Sequence, residues 1–196
     1  MTLTIYGDRI SGNCLKVKWV ADRLGVPYRW IDVDVVAGGA KTPDFLALHP
    51  GGQVPAVLLA DGRPLAQSNA IMLHLAEGSD LIPVDAYDRA KMFEWMFWEQ
   101  YSHEPVIAVR RFQKHYLGKP DDQIDPALMT RGATVLGRMN AALSSQDWFV
   151  ASGLSLADVA LVAYTRVAHE GGFDLADYPS VQAWVARVEA ALPIRG

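Results

Sequence analysis

The apolar pattern predicts an α/β domain followed by an all-α helical bundle, and three observations carry that prediction. A strand, a helix and a second strand fit into the first ~35 residues. Two short strands then flank Asp61-Gly62, a dipeptide that supplies the positive backbone angles of a tight hairpin. Beyond Pro83 the apolar residues recur at three- and four-residue spacing and never return to alternation.

Element by element, Leu3 to Tyr6 is a short buried strand, and the glycines, Asp8 and Ser11 make Gly7 to Gly12 a loop. The following helix carries Leu15, Trp19, Val20 and Leu24 on one stripe and stops at Gly25 and Pro27. Tyr28 to Val36 alternates again, with Ile31, Val33 and Val35 on one face. Two strands joined through a helix are expected to be parallel with a right-handed crossover. Gly38 to Gly52 is a polar connection holding a short helical stretch, Pro43 to Leu48. Val54 to Leu59 and Arg63 to Ala66 form the antiparallel hairpin, after which Ser68 is expected to cap a helix carrying Ile71, Leu73 and Leu75. A four-stranded mixed sheet with helices on both faces satisfies this order.

Gly78, Ser79, Asp80 and Pro83 interrupt the pattern, so the chain is read as one domain over residues 1–77, a linker over 78–85 and a helical domain over 86–196. In the second domain Tyr87 to Tyr116 is one long periodic stretch in which Pro105 is expected to kink or divide the helix. Asp125 to Leu143 is the next helix, with Pro126 in its first turn. Ser155-Leu156-Ala157-Asp158 approximates a capping box, with aspartate for the usual glutamate. It opens a stretch apolar on all faces, Val159 to Ala168, which belongs at the centre of a bundle. Pro179-Ser180 starts the last helix.

Composition narrows the function classes. Across 196 residues, 22 acidic and 18 basic side chains leave a net charge of -4, against a general nucleic-acid binder, and 51% of residues are hydrophobic. The single cysteine excludes an intrachain disulfide, a cysteine-rich zinc site and a two-cysteine redox motif. Met1 to Arg9 lacks the apolar block of a signal peptide, and no uncharged run approaches a membrane span. A reducing, cytoplasmic compartment is expected, with no membrane partner. No metal site is expected, because His103 has no second histidine at helical ligand spacing.

Three segments carry chemistry: Ser11-Gly12-Asn13-Cys14 where the first loop enters its helix, Pro50-Gly51-Gly52-Gln53-Val54-Pro55 before the third strand, and Gln67-Ser68-Asn69-Ala70-Ile71 at the last helix of the first half. Helix starts expose main-chain N–H groups and partial positive charge, which attract a carboxylate or a thiolate. In this order and on this β-α-β-β-β-α frame the segments resemble the glutathione transferase family, over nearly the whole chain. The resemblance implies a thioredoxin-like first domain with a cis bond at Val54-Pro55, and glutathione as co-substrate. Its cysteinyl part would pair with Val54 as an added strand. Its γ-glutamyl head group would lie on Gln67 and Ser68, and its glycine end near Gln53 and Lys41, with Arg9 a further nearby cation.

Ser11-Gly12-Asn13, followed by Lys16-Val17, resembles the Ser/Thr-x-Asn variant of bacterial and fungal members. It implies Ser11 as leading donor to the glutathione thiolate and Asn13 as its partner. Two rivals are Tyr6, since tyrosine is the donor in some classes, and Cys14, which would form mixed disulfides as cysteine classes do. The tyrosine classes follow that residue with a different loop, and the cysteine classes place cysteine earlier in this loop, where Ser11 stands, which implies an inert Cys14 just inside the helix. Trp98, Tyr101 and His103 on the long helix are candidates for a dimer interface or for a wall of the electrophile pocket. Arg110 and Arg111 are read either as anion holders or as surface charge. Asp158 is expected to be a structural cap.

The resemblance thus implies a homodimeric enzyme that transfers the glutathione thiolate to a hydrophobic electrophile in detoxification. A glutathione-dependent disulfide reductase or peroxidase on the same site is the alternative, as is a non-catalytic binding member. The chain closes Leu192-Pro193-Ile194-Arg195-Gly196, short of the segment that covers the pocket in some relatives, so an open cleft is expected.

Overall fold

A computed structural model describes residues 2–194; the ends of the N-terminal and C-terminal stretches discussed above, Met1 and Arg195-Gly196, lie outside the described residues. The chain parts into two units between Ser79 and Asp80.

The first unit runs β1 (Leu3–Gly7), α1 (Gly12–Arg23), β2 (Tyr28–Asp32), α2 (Pro43–Leu48), β3 (Ala56–Leu58), β4 (Pro64–Ala66) and α3 (Ser68–Leu75). The strands order as β2-β1-β3-β4. β1 is parallel to β2 and antiparallel to β3, and β3 is antiparallel to β4. Side chains alternate across a strand, so Ile5 and Tyr6 face opposite sides of the sheet. Ile5 is wholly buried. Tyr6 packs beside Val33, Ala40, Phe45 and Ala56, with its ring edge-on to Phe45. α1 and α3 pack together and bury Val17, Val20, Ile71 and Met72.

Three strands are shorter than expected, β4 by only its first residue, Arg63. β2 ends at Asp32 instead of Val36 because the Asp34 carboxylate accepts the N–H groups of Val36 and Ala37, at 3.0 and 2.9 Å, and turns the chain. β3 begins at Ala56 instead of Val54; the residues before it form a cis bond, Val54-Pro55, and Pro55 has no N–H to give to a ladder. The hairpin closes at Asp61-Gly62, with Gly62 at φ 88° and Leu59 N–H donating to Arg63 O at 2.9 Å.

The second unit begins with α4 (Ala86–Trp98), whose first N–H groups at Tyr87 and Asp88 are capped by Asp85. The helix widens into a π turn over Glu99–His103, continues as α5 (Glu104–Arg111) and widens again over Phe112–Tyr116. The first widening lies just ahead of Pro105. Proline lacks an N–H and its ring crowds the carbonyl four residues back, and a wider turn relieves both. α6 (Ala127–Leu143), α7 (Leu156–Thr165) and α8 (Pro179–Ala191) complete the bundle. All ten residues of α7 are buried, against α4, α5 and α8.

Asp158 closes the start of α7. Its carboxylate accepts from Ser155 N–H at 2.9 Å, Ser155 Oγ at 3.1 Å, Phe149 N–H at 3.1 Å and Trp184 Nε1 at 2.9 Å. Burial pushes the carboxyl above its usual range, against the pull of these donors. Of the two readings of Arg110 and Arg111, surface charge is excluded, and the anionic groups they hold are carboxylates of the chain itself. Both are buried: Arg110 bonds Gly171 O and Asp121, and Arg111 bonds Glu170. His103 is also buried, with Nε2 2.9 Å from Thr165 Oγ1, whose own proton goes to Leu161 O. Trp98 stacks edge-on to Trp95 under the Arg138 guanidinium, whereas Tyr101 is 86% exposed.

Candidate functional site

The register of the sheet brings three loops to one end. Tyr6 pairs with Ala56 and Ala56 with Ala66, so the exit of β1, the entry to β3 and the exit of β4 share that end. The exit of β1 leads to Ser11 and α1. The entry to β3 is the cis Val54-Pro55 bond. The exit of β4 is Gln67-Ser68 and α3.

Ser68 is not the N-cap of α3, contrary to expectation. Gln67 holds that place, exposed and without a side-chain cap bond, at φ 70° and ψ 114°. It is the one non-glycine residue with positive φ among the described residues. Such a conformation costs on the order of 1–3 kcal/mol and persists where the surroundings impose it. Ser68 follows as the first helical residue. Its buried hydroxyl donates to Asn13 Oδ1 at 3.2 Å, so its main-chain N–H, in the first turn, is left to a different partner.

Asn13 lies in the first turn of α1 and is held from two sides. Besides Ser68, Lys16 Nζ donates to the same Oδ1 at 2.8 Å. Lys16 is 0% exposed, a cation wholly inside the fold. Sequence reasoning used it only to mark a resemblance. The available signal was its place on the apolar stripe of α1, beside Val17 and Val20, where a solvated lysine has no reason to stand.

Ser11 is the N-cap residue of α1 and half-buried, but its side chain does not cap the helix. The hydroxyl bonds instead to the sulfur of Cys14, which also accepts the Asp8 N–H at 3.4 Å. Cys14 is 0% exposed, and burial pushes its thiol up to about 12 despite those two donors and the nearby Lys16 charge. A thiol so placed is not a nucleophile at neutral pH. Tyr6, the other rival, is engaged in packing against Phe45.

Lys41 reaches the loop before β3. Its Nζ donates to Gly52 O at 2.8 Å and Gly51 O at 3.4 Å, next to exposed Gln53. Gly52 permits this approach. Its φ is 57°, and a Cβ there would lie 2.6 Å from Lys41 Nζ and 2.9 Å from Ala40 O. Val54, next in line, makes no main-chain hydrogen bond among the described residues. Arg9 does not join the group: it pairs through two bonds with Asp32, at 2.8 and 3.0 Å, and holds that carboxyl below its usual range with help from Trp30.

One end of the sheet therefore combines an uncapped helix start, an unpaired strand-like segment and a fixed side-chain amide. Among the described residues no cluster of His, Cys, Asp and Glu could hold a metal ion, and no helix is long and apolar enough to cross a membrane.

Comparison with known proteins agrees with the frame. Residues 10–77 match the glutathione S-transferase N-terminal domain, and residues 97–191 match the glutathione S-transferase C-terminal domain. A solved glutathione S-transferase from Pseudomonas fluorescens is 45% identical with a TM-score of 0.93, covering 97% of this chain and 96% of that one. Glutathione S-transferase 3 of Zea mays is 32% identical over 200 residues, 96% of this chain and 89% of its own. Disulfide-bond oxidoreductase YfcG of Escherichia coli is 29% identical over 189 residues, 91% of this chain and 86% of its own. With both domains matched in order and nearly the full length aligned, the chain belongs to the glutathione S-transferase family.

Proposed function

We propose that this chain is a glutathione transferase whose site is the sheet end just described. The observation that carries the reading is the convergence there of Ser11 and Asn13, Val54 and Pro55, and Gln67 and Ser68. The γ-glutamyl carboxylate meets the Ser68 N–H at the open start of α3, where the helix dipole favours it. Gln67 can both donate and accept, which suits the ammonium and carboxylate of an amino-acid head group. The cysteinyl main chain pairs with Val54. Lys41 and Gln53 attend the glycine carboxylate.

The sulfur then lies before the start of α1. A free thiol is only a few per cent ionised at neutral pH, and hydrogen bonds to the thiolate raise that share. Asn13 offers amide N–H donors. The Ser11 hydroxyl serves as second donor by turning from the Cys14 sulfur. The thiolate attacks an electrophilic carbon, forming the C–S bond as the leaving group departs with its electron pair. Tyr87, Phe97 and Tyr101, exposed on the long helix, support a homodimer in this reading.

A calorimetric titration with glutathione, together with thiolate absorbance followed against pH, tests the assignment. Binding in the millimolar range or tighter is expected, with a bound thiol that ionises below its free value. No binding at millimolar glutathione removes the reading.

Similarity to the Escherichia coli oxidoreductase supports a second reading on the same site. Bound glutathione thiolate attacks one sulfur of a disulfide, the other leaves as a thiolate that takes up a proton, and a second glutathione resolves the mixed disulfide to release oxidised glutathione. Both sulfurs must come from glutathione, since Cys14 is sealed. Parallel assays on a chlorinated nitroaromatic and on a mixed glutathione disulfide separate the two reactions.

A further inference from the structure

We propose that Lys16 is a positioning residue of the glutathione site: its buried ammonium holds Asn13 Oδ1 inward together with Ser68, and so presents an N–H of the Asn13 amide to the sulfur. The inference rests on the glutathione reading above and assigns a task within that site. It begins from a chemical asymmetry. An ammonium can only donate, so the atom of the Asn13 side chain 2.8 Å from Lys16 Nζ is the carbonyl oxygen. The Ser68 hydroxyl, 3.2 Å from the same atom, then also donates to it. Two donors on one oxygen fix the amide plane. The Nδ2 end points away from Lys16.

Without the lysine the oxygen loses the shorter of these two bonds, and an amide turned over would place its oxygen toward the sulfur, where it would repel a thiolate. The same geometry joins two subsites. Ser68, at the helix start that receives the carboxylate, is one hydrogen bond from Asn13, which serves the sulfur. The charge of Lys16 also acts in this direction, since it already favours the thiolate form of neighbouring Cys14. Lys16 is 0% exposed, so its field at the site is little screened by solvent.

The test uses the full-length chain and three variants, with glutathione affinity, the pH profile of conjugation and thermal unfolding measured on each. Lys16→Met keeps the length of the side chain and removes its charge and donors. The expected result is a bound-thiol pKa raised by about one unit, with about tenfold lower kcat/KM below that pKa. Glutathione affinity should change by less than about threefold. Lys16→Arg, which keeps charge and donors, should recover part of the shift. Asn13→Asp keeps an oxygen for Lys16 and so keeps the fold, but has no N–H to give. It should lose thiol activation even if Lys16→Met fails to fold.

An unshifted pH profile in folded Lys16→Met, or full thiol activation in Asn13→Asp, overturns the role of Lys16 while leaving glutathione binding intact. Absence of glutathione binding by the unsubstituted chain instead removes the functional reading, and this proposal with it.

Discussion

The starts of α3 and α7 solve the same physical problem in opposite ways. Every helix begins with N–H groups that lack internal partners. At α7 the problem is closed: the Ser155 hydroxyl and the Asp158 carboxylate form a capping box, and Asp158 also takes Phe149 N–H and Trp184 Nε1. At α3 it is left open. Gln67 occupies the N-cap without a side-chain bond and in a strained conformation, while the Ser68 hydroxyl is committed elsewhere, to Asn13. A closed helix start contributes stability. An open one, held in place by neighbours, costs stability, and in the proposed reading it keeps donors for glutathione.

The sharpest way to break this contrast is at α7. Asp158→Ala leaves buried donors from three residues without an acceptor, at about 1–3 kcal/mol each, so a loss on the order of 3–5 kcal/mol is expected in urea unfolding. Glutathione affinity of the folded fraction should be unchanged. Weaker binding at full folding would mean that the two helix starts are not separate in function.

Substitutions at α3 should behave in reverse. Gln67→Ala is expected to weaken glutathione binding about ten- to a hundredfold, the value of a hydrogen bond to a charged group, while unfolding shifts by less than about 1 kcal/mol. Gln67→Gly should bind as poorly as the alanine variant, yet be more stable than it by about 1 kcal/mol, because glycine adopts positive φ without a Cβ conflict. Equal stability of the two would show that the strain assigned to Gln67 is absent.

Smaller effects follow at the loop before β3. Lys41 is exposed and already bonded to two carbonyls, so Lys41→Ala should weaken glutathione binding only about three- to tenfold, and less at high salt. An effect independent of salt would point to loop support and not to charge. At the bottom of the scale, Cys14 should show no alkylation by iodoacetamide in the native protein up to pH 9. Its thiol is raised to about 12 and is 0% exposed, and labelling should appear only on unfolding. Native labelling would reopen the mixed-disulfide chemistry weighed for Cys14.

The frame was legible in the sequence wherever it depended on local pattern. Alternation placed β1, Asp61-Gly62 placed the hairpin, and Ser155 with Asp158 marked the start of α7. Errors arose where one side chain overrode the pattern. Asp34 captured two N–H groups and cut β2 short of Val35, although Val33 to Val36 still alternates. The three segments of the candidate site were legible as motifs, but the bonds that join them were not. Ser68 looked like a cap because serine favours that position, whereas its partner, Asn13, is 55 residues away in sequence. Lys16 entered the sequence reading only as part of a resemblance, and its burial and its bond to Asn13 show only once α1 is packed in the fold. For Arg110 and Arg111 two readings stayed open, anion holding or surface charge, since the groups that settle it, Gly171 and Glu170, stand about 60 residues downstream.

The sealed state of Cys14 gives the molecule a chemically silent background. The chain contains one cysteine, and that one lies at 0% exposure beneath Ser11 and the Asp8 N–H. A cysteine engineered on any exposed surface would then be the sole thiol that maleimide reagents find in the folded protein. Spin labels, fluorophores or immobilising linkers could be attached at one chosen point without first deleting the native residue.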